Sequence, residues 1–99
     1  MTVKIQSIHF DADEKLLKFI EQRIGKLATY NSDVIDAQIY LRLDKNDGME
    51  NKIAEIKLII PGNDLFSKKQ CKSFEEAVDQ ATEALRRQLK KRKEKAMPH

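Results

Sequence analysis

Cysteine, histidine and glycine are scarce in this 99-residue chain, and each scarcity removes a class of chemistry. The single cysteine, Cys71, excludes an internal disulfide and leaves no CxxC or zinc-ligand spacing, which fits a reducing compartment. It has no base partner evident in the sequence, so its expected place is the core or a sheet edge. The two histidines, His9 and His99, stand near opposite ends of the chain, and no histidine pair at metal-ligand spacing exists. Gly25, Gly48 and Gly62 are far apart, which rules out a GxGxxG or GxxxxGK loop around a phosphate. Asp11 and Asp13 are the one close pair of acids worth weighing as a site, yet beside a helix start a capping role suffices. No catalytic constellation emerges, and neither a metal nor a cofactor is expected. No apolar run approaches the roughly 18 residues that cross a bilayer, and Met1-Thr-Val-Lys leads into strand pattern instead of a signal peptide. The chain is expected to be soluble and cytoplasmic, with no membrane and no small-molecule substrate among its partners.

What the chain has is charge, unevenly placed. Nineteen bases face 16 acids for a net +3. Residues 1–72 hold twelve bases and eleven acids, while residues 73–99 hold seven bases and five acids. The bias is local: all seven bases of the second group lie within residues 86–95 (Arg86, Arg87, Lys90, Lys91, Arg92, Lys93 and Lys95), against the single acid Glu94. Two or three bases at a helix end are explained by its dipole. Seven in ten residues repel one another, so an acidic partner is the better explanation. A membrane-seeking helix would set bulky apolar residues opposite those charges, and residues 90–95 contain none.

The basic run belongs to the clearest helix in the sequence, residues 73–95. Ser73 and Glu76 form a capping box at its start. Phe74, Ala77, Val78, Ala81, Leu85, Gln88 and Leu89 fall on one arc at 3.6 residues per turn, a buried stripe with one polar member. After Leu89 the stripe stops. An earlier helix is capped by Asp13, runs to about Thr29 and turns Leu16, Leu17, Ile20, Ile24, Leu27 and Ala28 inward. Arg23 and Lys26 project side by side on one flank of that stripe.

Strand patterns fill the rest. Val3–Ile8 alternates as a short strand, and Ile35, Ala37, Ile39, Leu41 and Leu43 alternate with Asp36, Gln38, Tyr40, Arg42 and Asp44. Asn31-Ser-Asp before that strand is turn chemistry, and residues 44–52 read as a mobile loop. Ala54, Ile56, Leu58 and Ile60 point inward from a third strand, with Glu55 and Lys57 facing water. Pro61-Gly62-Asn63-Asp64 turns the chain into a fourth strand, Leu65–Cys71, where register decides whether Lys68 or Lys69 faces outward.

The order β-α-β-β-β-α gives an α+β fold. A right-handed crossover makes the first two strands parallel, and two hairpins follow, so the four-stranded sheet is mixed. One apolar face per strand and one stripe per helix put both helices on a single face. One domain is expected over residues 1–96, with 97–99 a disordered tail. A helix over residues 73–95 would be about 34 Å long against roughly 23 Å for a seven-residue strand, so its last, basic turns should overhang the sheet.

The pattern resembles the ribosome hibernation-promoting factors, the protein Y family of bacterial ribosome-associated translation inhibitors. The resemblance covers almost the whole chain: the opening VKIQSIHFDAD, a helix ending RIGKL (Arg23–Leu27), the strand DAQIYLRL, a third strand followed by PG, and the final FEEAVDQATEALRRQLKK. It implies a fold akin to double-stranded-RNA-binding domains. It also implies a stress or stationary-phase factor, not an enzyme, whose helices meet ribosomal RNA phosphates in the mRNA and tRNA channel of the small subunit. Carried over by position, the RNA-binding residues are Arg23, Lys26, Arg87 and Lys91, with Arg86, Lys90 and Lys93 beside them and Lys68 and Lys69 further off. Glu75 stands where the family often has an aromatic. Long members carry a C-terminal dimerisation domain that pairs two ribosomes, and some short ones an extended acidic tail; neither is found before His99, so self-driven pairing of ribosomes is not expected. A monomer when free is expected. Two other functions fit the residues: a structured-RNA module acting away from ribosomes, and a regulator docking its basic helix on an acidic protein.

Overall fold

The computed structural model describes residues 1–30, 33–45 and 48–96. Six elements follow one another: β1 (Thr2–Ser7), α1 (Glu14–Tyr30), β2 (Asp36–Leu43), β3 (Lys52–Ile59), β4 (Leu65–Cys71) and α2 (Phe74–Ala96). The strands lie in the order β1-β2-β3-β4, β1 parallel to β2 and the two following pairs antiparallel. This is the mixed sheet that the element order requires.

Local chemistry sets the boundaries. Asp13 Oδ1 accepts the Leu16 amide at 2.8 Å, and Ser73 Oγ accepts the Glu76 amide at 3.1 Å, so each helix has a side-chain cap. Between β3 and β4 the Asn63 amide donates to the Ile60 carbonyl at 3.3 Å, with Pro61 and Gly62 at the turn's centre. Gly62 has φ 90°, a left-handed value that a side chain there would strain.

Both helices cover the same sheet face. Leu16, Ile20, Ile24 and Leu27 of α1 and Ala77, Val78, Ala81, Leu85 and Leu89 of α2 are buried against Ala37, Ile39, Leu41, Ala54, Ile56 and Leu58. Cys71 joins this core as a free thiol. Burial, and the Glu76 carboxylate nearby, push that thiol above its ordinary pKa. β1 and β4 both run parallel to β2, and each helix returns antiparallel to the strand before it. The helices are thus parallel neighbours. Phe10, just before α1, stacks on Phe74 at the start of α2 with ring centroids 4.9 Å apart.

Three expectations need correction. Ile35 and Leu43 are 56% and 44% exposed instead of inward: Ile35 lies just before the first rung of β2, and Leu43 pairs with Lys52 on the last rung of β2 and β3, where the core ends. The strand β1 covers Thr2–Ser7, one residue earlier than its pattern suggests. The described part of the 44–52 segment is tied down, its base closed by Asp44 N to Asn51 O at 2.8 Å and its flank held by the Gln70 amide on Asp44 and Glu50. That arch sits beside Ile53, which is 5% exposed although it points away from the helices. Asn31, Ser32 and the 97–99 tail lie outside the described residues.

Candidate nucleic-acid interface

The helices share a start and not a finish. α1 stops at Tyr30, while α2 has 23 residues, about 34 Å of helix. Among the described residues its last fully buried side chain is Leu89. One turn on, Arg92 Nη2 donates to the Pro61 carbonyl at 2.6 Å and ties α2 to the turn after β3. The helix continues to Ala96 beyond that tie, and the molecule measures 49 × 23 × 19 Å. The overhang is thus confined to the turn past Arg92, shorter than the whole basic run.

Two of the nine candidate cations are occupied within the ridge. Arg23 leaves α1 toward α2, lies over the Phe19 ring at 4.8 Å and places Nη1 3.4 Å from Asp79 Oδ1. Arg86 grips Glu83 with both Nε and Nη2, the shortest distance being 2.6 Å. This fork lowers the Glu83 pKa and raises that of Arg86, the shared hydrogen bond being the largest cause for each. Both groups are exposed, so the pair holds Arg86 in place more than it stabilises the fold.

Lys26, Arg87, Lys90 and Lys91 are exposed, and among the described residues none has an ion-pair partner. Lys26 shares its α1 flank with Arg23, the flank turned to α2. Arg87 and Lys91 stand one turn apart on the outer surface of α2, and Lys90 follows Arg86 on the side nearer α1. Lys93 sits on the next turn; its side chain lies outside the described part.

Lys68 and Lys69 are divided by the sheet. Lys68 pairs in register with Glu55 and reaches its Oε1 at 3.9 Å, on the face away from the helices, where Arg42 also engages Glu55. Lys69 pairs with the inward Ala54 and is half-buried on the helix side, two residues before Cys71 and so near the start of α2. Neither joins the basic end. Three residues that sequence reasoning did not place in the site complete it: Arg92 as the anchor of the overhang, and Asp79 and Glu83 as acids within the ridge. Glu83 had a readable signal in its three-residue spacing from Arg86.

Among the described residues no group of three His, Cys, Asp or Glu could hold a metal ion. The arrangement is suited to binding anions: a helix held at both ends of its packed segment carries the unpaired cations Arg87, Lys90 and Lys91 on its last packed turns. A β-α-β-β-β-α domain with a cationic helical ridge defines the class.

Comparison with known proteins places the chain within that class. Residues 3–97 match the family described as sigma 54 modulation protein / S30EA ribosomal protein, so the chain belongs to this family. It is 25% identical over 95 residues to the ribosome hibernation promoting factor of Pseudomonas putida, covering 96% of this chain and 89% of that one. It is 26% identical over 89 residues to the ribosome hibernation promotion factor of Deinococcus radiodurans, covering 88% of this chain. The chain spans 46% of that longer relative. Its fold is that of a ribosomal subunit interface protein from Coxiella burnetii, with TM-score 0.84, 18% identity, and 94% and 98% of the two chains covered. The N-terminal domain of Thermus thermophilus protein Y is also similar, with TM-score 0.75, 20% identity, and 91% and 93% covered.

Proposed function

We propose that this protein is a ribosome-binding translation inhibitor, a hibernation factor that lodges the basic end of α2 in the mRNA and tRNA channel of the small ribosomal subunit. The observation that carries this reading is the basic stretch of α2 that leads into its overhang, where Arg87, Lys90 and Lys91 stand exposed and free of carboxylate partners among the described residues. A carboxylate-paired cation must give up one partner to gain another, whereas these three and Lys26 can take phosphate oxygens directly. Each phosphate neutralised releases counterions, which drives binding at low salt. The relatives named as ribosome hibernation factors favour the ribosome over a free RNA duplex as the source of those phosphates.

Inhibition then needs no bond-making step. A helix about 34 Å long occupies space that mRNA and tRNA would fill, and the packed domain behind it keeps the helix from bending aside. The factor works as a monomer when free, in the cytoplasm where its partner is. Among the described residues no helix is long and apolar enough to cross a membrane.

Cosedimentation with isolated small subunits, across a salt series and against added tRNA, tests the proposal. Tight, subunit-selective binding that tRNA displaces is the expected result. Equal binding to both subunits, or binding that tRNA leaves untouched, refutes it.

A further inference from the structure

Asp79 and Glu83 stand one turn apart on α2, and Arg86 and Lys90 follow at helical spacing, so this line reads acid, acid, base, base toward the free end. Each acid holds a ridge cation: Asp79 takes Arg23 at 3.4 Å, and Glu83 takes Arg86 at 2.6 Å. Among the described residues the unpaired cations of α2 therefore lie toward its free end, and Lys26 is the unpaired candidate on α1. We infer that Asp79 and Glu83 are specificity-determining residues, which exclude regular duplex RNA laid lengthwise along the helices and admit a partner that receives the helix end-on. The inference rests on the reading of this ridge as an RNA-binding surface.

The argument is one of distance and sign. A duplex lying along α2 would bring phosphates to Asp79 and Glu83, which repel them and also occupy the two arginines that would neutralise them. A partner that receives the helix from its free end reaches Lys91, Lys90 and Arg87 before it reaches Glu83 and Asp79. Glu83 is eight residues from Lys91, about 12 Å along the helix axis. The Debye length at 0.1 M salt is about 10 Å, so Glu83 acts more weakly on Lys91 than on phosphates laid beside it, while Arg87, one turn away, still feels its charge. Both carboxylates are about half exposed, at 58% and 49%, so their pairs contribute little to holding the fold. Their position opposite the two arginines is what they supply.

The test is the double variant Asp79→Asn with Glu83→Gln, measured against two probes: a regular RNA duplex of about 16 base pairs and isolated small ribosomal subunits. Glu21→Gln serves as the control for net charge, its effect on log K counted twice because it removes one acid where the double variant removes two; Glu21 is exposed and lies nearly across α1 from Arg23. Freed Arg23 and Arg86 should raise duplex affinity at least about fivefold at low salt and steepen its salt slope by up to about 1.8. Small-subunit affinity should rise by clearly less than duplex affinity, because a partner that receives the helix end-on gains the freed Arg86 without having met Asp79 and Arg23. Equal gains on both probes overturn the inference. So does a duplex gain no larger than that of Glu21→Gln counted twice. If the parent chain fails to cosediment with small subunits, the proposed function falls. The duplex comparison between the double variant and Glu21→Gln still decides whether these acids repel lengthwise RNA. Matching melting curves for parent and variants keep folding out of the comparison.

Discussion

Phe10 and Phe74 stack with their ring planes 9° apart and centroids at 4.9 Å, and this contact joins the start of α1's entry loop to the start of α2. At the other end α2 is joined to the sheet by Arg92 on the Pro61 carbonyl. The long helix is thus fixed near both ends of its packed segment. Phe74→Leu keeps an apolar side chain at this site and loses the ring pair, so stability should fall by about 0.5–1.5 kcal/mol. Chemical denaturation with an unchanged m-value checks this, and a parental midpoint would show that the stack contributes nothing.

Leu85 is fully buried in the centre of the α2 stripe. Leu85→Asp would put an unpaired charge in the core, and the domain should be unfolded at ambient temperature. A parental melting curve would contradict the packing described for α2.

Amide exchange should follow the pins on α2. Residues 77–89 should be protected to nearly the global stability, and residues 93–96, past the Arg92 tie and the last buried leucine, should exchange within the fast phase. Arg92→Gln should move the boundary back about one turn and leave the melting temperature nearly unchanged. Protection of 93–96 equal to that of 77–89 would mean that the end is packed in the free protein.

The Glu83–Arg86 fork makes a prediction with a definite sign. Because Arg86 donates to it, the Glu83 carboxyl is held below the ordinary 4.5. A folded pKa below the unfolded one means that the pair's stabilisation is present above the unfolded value and lost as pH falls through the folded one. The contribution to stability is small at so exposed a site, so the titration itself is the readout. A side-chain NMR titration should place the Glu83 midpoint below 4.5, and Arg86→Gln should raise it. A parental midpoint at or above 4.5 would show that the fork does not persist in solution.

The elements were legible in the sequence because their signals are local. Asp13 and Ser73 mark helix starts by cap chemistry, Leu85 and Leu89 keep the helical period, and Pro61-Gly62 specifies its turn. What stayed hidden depends on contacts between distant parts of the chain. Arg23 and Lys26 look alike on α1, yet only the fold brings Asp79 against Arg23. The choice between Lys68 and Lys69 needed the pairing of β3 with β4, which sets them on opposite faces. Arg92 looked like one more base of the run until the Pro61 carbonyl came within 2.6 Å of it. Leu43 kept the alternation of β2 but ran past the covering layer. Periodicity says which residues share a face, and it does not say how far the cover extends.

The central claim, that the basic end of α2 makes the contacts, is tested most directly by changing Arg86, Arg87, Lys90 and Lys91 together to Gln and measuring small-subunit binding across a salt series. Leu85 and Leu89 stay in place and mutual repulsion is relieved, so thermal stability should hold or rise slightly. If the four cations neutralise phosphates, the slope of log K against log salt should shrink by up to roughly 3, with most of the affinity loss at low salt. A variant that still occupies small subunits with the parental slope would contradict the account.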